Sequence, residues 1–407
     1  MDDLEQKPLL VNNGGNSDRS KLVKEAWGSG KVGRSRISGN TRNALLAVMN
    51  VISNVIMNVS LPVYAGTMES VGSDIFVLLF ITCCTISVIF TLLTLFVKYS
   101  KIDSSATLRP TSSYKILFLM GLFTAMNGIL VVYASPPNRT PPYLQGILQS
   151  SVIPFTVLLR FVILRRGISV IRGICTSIVL VGIFITIEPQ IWGIDTGASD
   201  PGEKAESTSA RILWPLCFLI GFLPVGMTNV FCEKELQKEE GQSFSFITWG
   251  QYFQTMIMIC FFWVDFVPGF GSSSSVSDFF KRLSRGLHCS FSTESTCRNL
   301  GGKAWLFYTG YTFGNLFQFL LIQYAEGAVF AVIVQAIVSP IAALFWNLFR
   351  YDAGTDVFEY KPTMNTTTAF TFSGLLLIFP GVILYNYFSS KEAASKKYLD
   401  KEVEIDA

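Results

Sequence analysis

The chain has 407 residues, half of them hydrophobic, only 15% charged, with a formal net charge of +3. Ordinary soluble domains are about a quarter charged, so the composition argues against a soluble enzyme. No basic cluster interleaved with aromatics sits on a polar segment, which argues against a nucleic-acid partner. The one His, His288, sits in a loop beside Cys289, which argues against a His-dependent triad; a multi-His metal site is ruled out and there is no Walker A sequence, so no cofactor, metal or enzymatic activity is expected.

Residues 1–42 are polar and open with Asp2, Asp3 and Glu5. They read as a cytosolic tail rather than a cleaved leader, which would be short, apolar and free of early acids. Within the tail, Glu5 is followed four positions on by Leu9 and Leu10. That pattern resembles acidic di-leucine sorting signals and points to a sorting adaptor as partner.

Ten apolar blocks follow, at 43–64, 75–97, 114–133, 143–164, 169–187, 212–232, 246–267, 304–324, 328–349 and 366–388. Each is long enough to cross the hydrocarbon at ~1.5 Å per helical residue. The expected fold class is an all-α membrane protein with ten transmembrane helices. Residues 43–188 form a first five-helix repeat and 212–388 an inverted second one. A lumenal linker at 189–211, a lumenal loop at 268–303 and a cytosolic tail at 389–407 complete the organisation.

The repeat reading rests on two echoes. Gln149 precedes Pro154 as Gln335 precedes Pro340, each inside an apolar block, and Ser53-Asn54-Val55 is answered by Thr228-Asn229-Val230. Paired breaks in corresponding spans point to a binding site between the halves of a transporter. Lys98, Lys101, Arg109 and Lys115, then Arg165, Arg166 and Arg172, share a side with Arg34, Arg36 and Arg42. By the positive-inside rule that side, with both termini, is cytosolic.

The expected substrate cavity collects Asn50, Asn54 and Asn58, which recur every four residues on one helix face, with Gln149, Asn229, Asn315, Gln318, Gln335 and Ser339. Amides facing lipid would lack partners, so the stripe must face helices or water; interhelical hydrogen bonding is the alternative reading. Pro154 and Pro340 are helix breaks, each freeing a carbonyl one turn back. Glu188 and Glu233 are the candidates to exchange protons. Glu69, Asp74, Asp265 and Glu326 read mostly as solvated span ends. Cys289 and Cys297, alone in an aqueous loop, are expected to form a disulfide, with two free thiols as the alternative. Asn138 and Asn365 head glycosylation sequons. Around Asp278, Phe279, Phe280, Leu283 and Leu287 share one face of a short helix, for the membrane surface or for the bundle.

Several stretches together resemble the chloroquine-resistance-transporter-like family of the drug/metabolite transporter superfamily. They are LQSSVIPFTVLLRFVILRR, PVGMTNVFCEKEL, HCSFSTESTC, GGKAWLFYTGYTFGNLFQ and VIVQAIVSPIAALFW. The resemblance implies a ten-helix fold of inverted repeats around a central cavity. It also implies a vacuolar or lysosomal membrane and proton-coupled export of small, often cationic solutes to the cytosol. Asn54 falls at a first-helix position governing drug passage. Thr228-Asn229-Val230 resembles the family's Ser-Asn-Met element, Glu233 and Glu188 match family acids, and Cys289 and Cys297 match part of a lumenal cysteine set. Asn54 and Asn58 are neutral where the best-known relative carries lysines, and Gln318 is neutral where it carries an acid, so its substrates do not transfer. The expected partners are a small solute, the lipid bilayer and protons, acting on a monomer. A glutathione or thiol carrier is the runner-up, and a non-transporting receptor or scaffold comes from a different class.

Overall fold

The structure is a computed structural model that describes residues 39–100, 107–164, 169–192, 208–236, 242–324, 328–352, 355–362 and 366–405. Residues from Asn43 onward form one compact unit, and 1–42 another, of which only the residues from Gly39 are described. The sorting-signal residues Glu5, Leu9 and Leu10 therefore lie outside the described residues, as do Glu326 and Asn365.

The apolar blocks are helical. In chain order they are α1 (Gly39–Ser70), α2 (Ile75–Tyr99), α3 (Tyr114–Ala134), α4 (Pro142–Leu148), α5 (Val152–Leu164), α6 (Val170–Trp192), α7 (Thr208–Ile220), α8 (Phe222–Leu236) and α9 (Ser243–Cys260). There follow α10 (Val276–Phe291), α11 (Leu300–Tyr324), α12 (Ala328–Ala336), α13 (Val338–Leu348) and α14 (Thr366–Ile405). Among the described residues, 6 helical stretches are long and apolar enough to cross a membrane: Thr41–Ser70, Ile75–Tyr99, Tyr114–Ala134, Pro142–Ile163, Ile212–Leu236 and Thr368–Tyr385. The chain is a multi-pass, mostly helical membrane protein.

Local chemistry sets several boundaries. Asp74 caps α2 by accepting from the Phe76 N–H, and Lys98 lies in its last turn, where the helix dipole favours a cation. Pro142 opens α4 at its first position, where a missing N–H is harmless. Between α4 and α5 the chain tightens into a 3-10 turn at Gln149–Ser151, just ahead of Pro154. Between α12 and α13 it breaks at Ile337, just ahead of Pro340.

Packing brings α6 against α14, α3 and α2 against α9, α5 against α8, and α4 against α13. The α6–α14 crossing is close because Gly182 and Gly374 face each other; a Cβ on Gly374 would stand 1.9 Å from Thr186 Oγ1 and 2.7 Å from the Gly182 carbonyl. Small residues at such crossings let membrane helices approach backbone to backbone.

The described residues are mostly helical, as expected of an all-α membrane protein, with two helix ends to correct and one short hairpin to add: Phe349–Asp352 (β1) pairs antiparallel with Val357–Tyr360 (β2). Alternating aromatics explain the hairpin, since Phe349 meets Tyr360 at 5.8 Å and Tyr351 meets Phe358 at 5.2 Å. The final helix does not stop at 388 but continues to Ile405, through a tail rich in Ala, Lys, Glu and Leu, all strong helix formers. Likewise α6 runs on to Trp192, carrying Pro189 within it, so the linker begins later than 189.

Cys289 and Cys297 are joined in the structure, with Cα atoms 5.0 Å apart. The bridge marks one end of the bundle. At that end α10 lies across the α1–α2 turn: Ser73 Oγ donates to the Arg282 carbonyl, and the Arg285 guanidinium donates to the Val71 carbonyl. Phe279 is buried against Phe76 and Phe266, whereas Phe280 and Leu287 stay exposed, so the apolar face of α10 is split between the bundle and its surroundings. The hairpin is tied on by Lys303, whose ammonium donates to Thr67 Oγ1, Tyr351 and Asp356.

Candidate functional site

The breaks and polar stripes converge on a cavity of about 170 Å³. Asn54 and Asn58 of α1, Gln149, Asn229 of α8, Asn315 and Gln318 of α11, and Gln335 of α12 all line it. Leu78, Leu79, Ile86, Met120, Phe218 and Phe319 supply apolar wall.

Two expected lining residues stand behind the wall instead. Asn50 is buried against α11, where its Nδ2 donates to the Gly314 carbonyl at 3.2 Å and to Gln318 Oε1 at 3.3 Å. It thereby holds Gln318 with its Nε2 free for the cavity. Ser339 Oγ donates to the Gly146 carbonyl and pins α13 to α4 near the break. Close approach explains the Asn50 placement. A Cβ on Gly310 would meet the Met57 nitrogen at 2.6 Å, so α11 presses against the backbone of α1.

The asparagine stripe also ladders along its own helix: Asn54 Nδ2 donates to the Asn50 carbonyl at 2.9 Å, and Asn58 Nδ2 to the Asn54 carbonyl at 2.7 Å. The stripe is thus both internally bonded and cavity-facing. Pro154 is buried beside the Gln149–Ser151 turn; Pro340 holds the third position of α13.

Sequence reasoning missed Asn127 of α3, Gln251 and Gln254 of α9, and Tyr311 of α11, all of which line the cavity. A signal was present: Gln251 and Gln254 stand three apart in an apolar block, the spacing that puts two side chains on one helix face.

The amides are not saturated. Gln149 Oε1, Asn229 Nδ2, Gln251 Oε1, Gln254 Oε1 and Gln318 Nε2 are all buried without a hydrogen-bond partner. Buried amide atoms normally find partners in protein or in ordered water, so these atoms are open to a hydrogen-bonding partner from outside the chain. Among the described residues, no Asp, Glu, Lys or Arg lines the cavity.

The charged residues sit at its margins. Arg160 Nη2 donates to Glu233 Oε1 at 2.8 Å, joining α5 to α8 with Glu233 buried. Glu188 is exposed on α6 and is not among the lining residues. At the disulfide-bearing end, Asp74 and Asp265 are fully buried rather than solvated span ends. Phe76 N–H and Ser273 Oγ donate to Asp74, while Tyr133 Oη donates to Asp265 at 3.2 Å. Burial, then the hydrogen bond and charge of Asp265, push the Asp74 carboxyl up to about 7. Asn138 is exposed in the α3–α4 turn.

The cavity is lined by amides and lies among the apolar helices of a membrane protein. The chain belongs to the CRT-like, chloroquine-resistance transporter-like family, whose model matches residues 44–385. It is therefore a membrane protein of a transporter family. It is similar to Crt homolog 3 of Dictyostelium discoideum, at 22% identity over 70% of this chain and 60% of that one. It is also similar to Crt homolog 2 of the same organism, at 28% identity over 28% of this chain and 21% of that one. The chain thus spans 60% or less of these two relatives' length. A solved structure aligns over 86% of this chain and 98% of its own at 12% identity, with a TM-score of 0.45.

Proposed function

We propose that this protein is a secondary active transporter of small polar solutes without net charge, amino acids and short peptides foremost, across a vacuolar or lysosomal membrane. The observation that carries the reading is the cluster of unpartnered buried amide atoms around a cavity with no charged lining. A carboxamide offers both donors and an acceptor, so the set suits a solute bearing an ammonium and a carboxylate together. A solute with net charge would be desolvated there with no countercharge. For the same reason the lining weighs against an anionic glutathione-type substrate. The volume lies below the ~300–1,000 Å³ typical of drug-sized sites.

Ten spans in two inverted repeats are the arrangement this function calls for. Support comes from pairs of counterpart helices packed on each other: α2 with α9, α4 with α13 and α6 with α14. The breaks before Pro154 and Pro340 fall at matching places. Rocking of the two halves, with both termini cytosolic and flux from lumen to cytosol, completes the proposal. Proton coupling through Glu188 has no support from its exposed position, and Glu233 is held by Arg160.

Uptake of labelled amino acids and dipeptides into proteoliposomes with an imposed pH gradient tests the reading. Competition by neutral solutes, lost on Gln254→Leu or Gln149→Leu with the folded protein intact, is the expected outcome. Full transport by both leucine variants would remove the cavity from the function.

A further inference from the structure

The Asp74–Asp265 pair is buried beside segments that line the cavity. Asp74 stands four residues, or ~6 Å of helix, before the cavity-lining Leu78. Tyr133, which donates to Asp265, directly follows the lining residues Val131 and Val132. Over the pair lies an aromatic layer: Phe270 stacks on Tyr133 at 4.8 Å and contacts Trp214 at 5.5 Å, one turn before the lining Phe218. The layer therefore joins the start of α2, the end of α3, α7 and the segment after α9, the elements that would have to part for a solute to enter from this end.

The two carboxyls are not equally provided for. Asp265 Oδ1 accepts from Tyr133 and from the Ser272 N–H, but Asp265 Oδ2 is buried without a donor. The surrounding charges are otherwise engaged. Arg139 pairs with Glu69 and donates to the Tyr133 carbonyl, Arg282 pairs with Asp278, and Arg285 binds the Val71 carbonyl. None of these places a cation on Asp265 Oδ2. The donor it lacks is a proton carried by its neighbour.

We infer that Asp74 and Asp265 share one proton, and that this proton is the latch holding the disulfide-bearing end of the cavity shut. With the proton present, one carboxyl donates to the other and the aromatic layer stays seated. When it leaves, two buried carboxylates face each other and the elements carrying them separate. The elevated position of Asp74, about 7, puts the release near neutrality. The inference rests on the cavity reading above, but on neither the substrate nor the direction of flux.

Cys83 lines the cavity and serves as reporter. Full-length protein with Cys84, Cys217 and Cys260 replaced by Ser is reconstituted in liposomes. A charged, membrane-impermeant methanethiosulfonate is then applied from each face at pH 5.5 and pH 8. Asp74→Asn removes the carboxyl that carries the shared proton, so dividing the wild-type rate by this variant's rate cancels the pH dependence of the thiol itself. Asp265→Asn serves the same purpose should the first variant fold poorly.

For a group titrating near 7 the deprotonated fraction rises roughly 30-fold over this interval. The labelling ratio from the disulfide-bearing face is expected to rise by a comparable factor. A flat ratio with a reactive Cys83, or a rise from the opposite face only, overturns the latch and leaves the cavity standing. A Cys83 unreactive from both faces in every protein overturns the cavity reading and the latch with it.

Discussion

Gln318→Glu is the most direct probe of what the cavity selects. The substitution is isosteric, and Asn50 Nδ2, 3.3 Å from Gln318 Oε1, still donates to the carboxylate that replaces the amide. What changes is the atom facing the cavity, an unpartnered Nε2 donor in the native chain and an anionic oxygen in the variant. At an effective dielectric of ~20, a unit charge ~5 Å from a bound cation contributes about 3 kcal/mol, of the order of 100-fold in relative affinity. Uptake competition between a monocation and a neutral amino acid of similar size, measured above pH 7 so that the new carboxyl is ionised, should move towards the cation by up to that factor. The shift should fade as pH falls and the carboxyl takes up a proton. Unchanged preference in a folded, active variant would mean that solutes do not pass Gln318, and the argument from cavity charge would fail.

Other consequences follow from the packing. Arg160→Met breaks the ion pair to Glu233, whose side chain is 3% exposed, and should destabilise by about 3–5 kcal/mol. Glu233→Gln leaves the 19%-exposed Arg160 and should cost less, with the double variant recovering most of the loss; purely additive losses in detergent unfolding would mean that the pair is not coupled. Gly374→Leu should prevent the α6–α14 crossing, because even a Cβ falls 1.9 Å from Thr186 Oγ1; a fully folded variant by size-exclusion and thermal unfolding would refute that packing. Asp74, at about 7 in the folded chain against ~3.9 unfolded, makes the native state the better proton binder. Stability, complete below pH ~4, should therefore fall by the order of 4 kcal/mol as pH rises through 7. Asp74→Asn should flatten the fall, and a wild-type melting temperature constant from pH 4 to 8 would contradict the burial.

What the sequence made legible divides along a physical line. Apolar blocks and their polar interruptions are local signals. Asn54, Gln149, Asn229 and Gln335 stood out because an amide in hydrocarbon needs a partner, and all of them line the cavity. Ser339 gave the same signal and found its partner in a backbone carbonyl, since periodicity says that a side chain faces inward but not what it meets. Glu188 follows the apolar stretch Gly173–Thr186, while its helix runs on to Trp192 and leaves it exposed, away from the cavity lining. Asp74 and Asp265 were illegible as a pair for a different reason. Each sits where a solvated carboxylate is ordinary, and only the tertiary approach of α2 and the segment after α9 buries them together. The polar groups described around the cavity are amides, hydroxyls and a thiol, while ionisable pairs stand apart from it in Arg160–Glu233 and in Asp74–Asp265. Amides satisfy a passing solute without holding it by charge, so they suit a site that must release what it binds. Buried ionisable pairs are strong, two-state and sensitive to a single proton, so they suit the surfaces that must part and close again. On the proposed function, selection and gating fall to different chemistry in different places, and substitutions in one set should leave the other's readout in place.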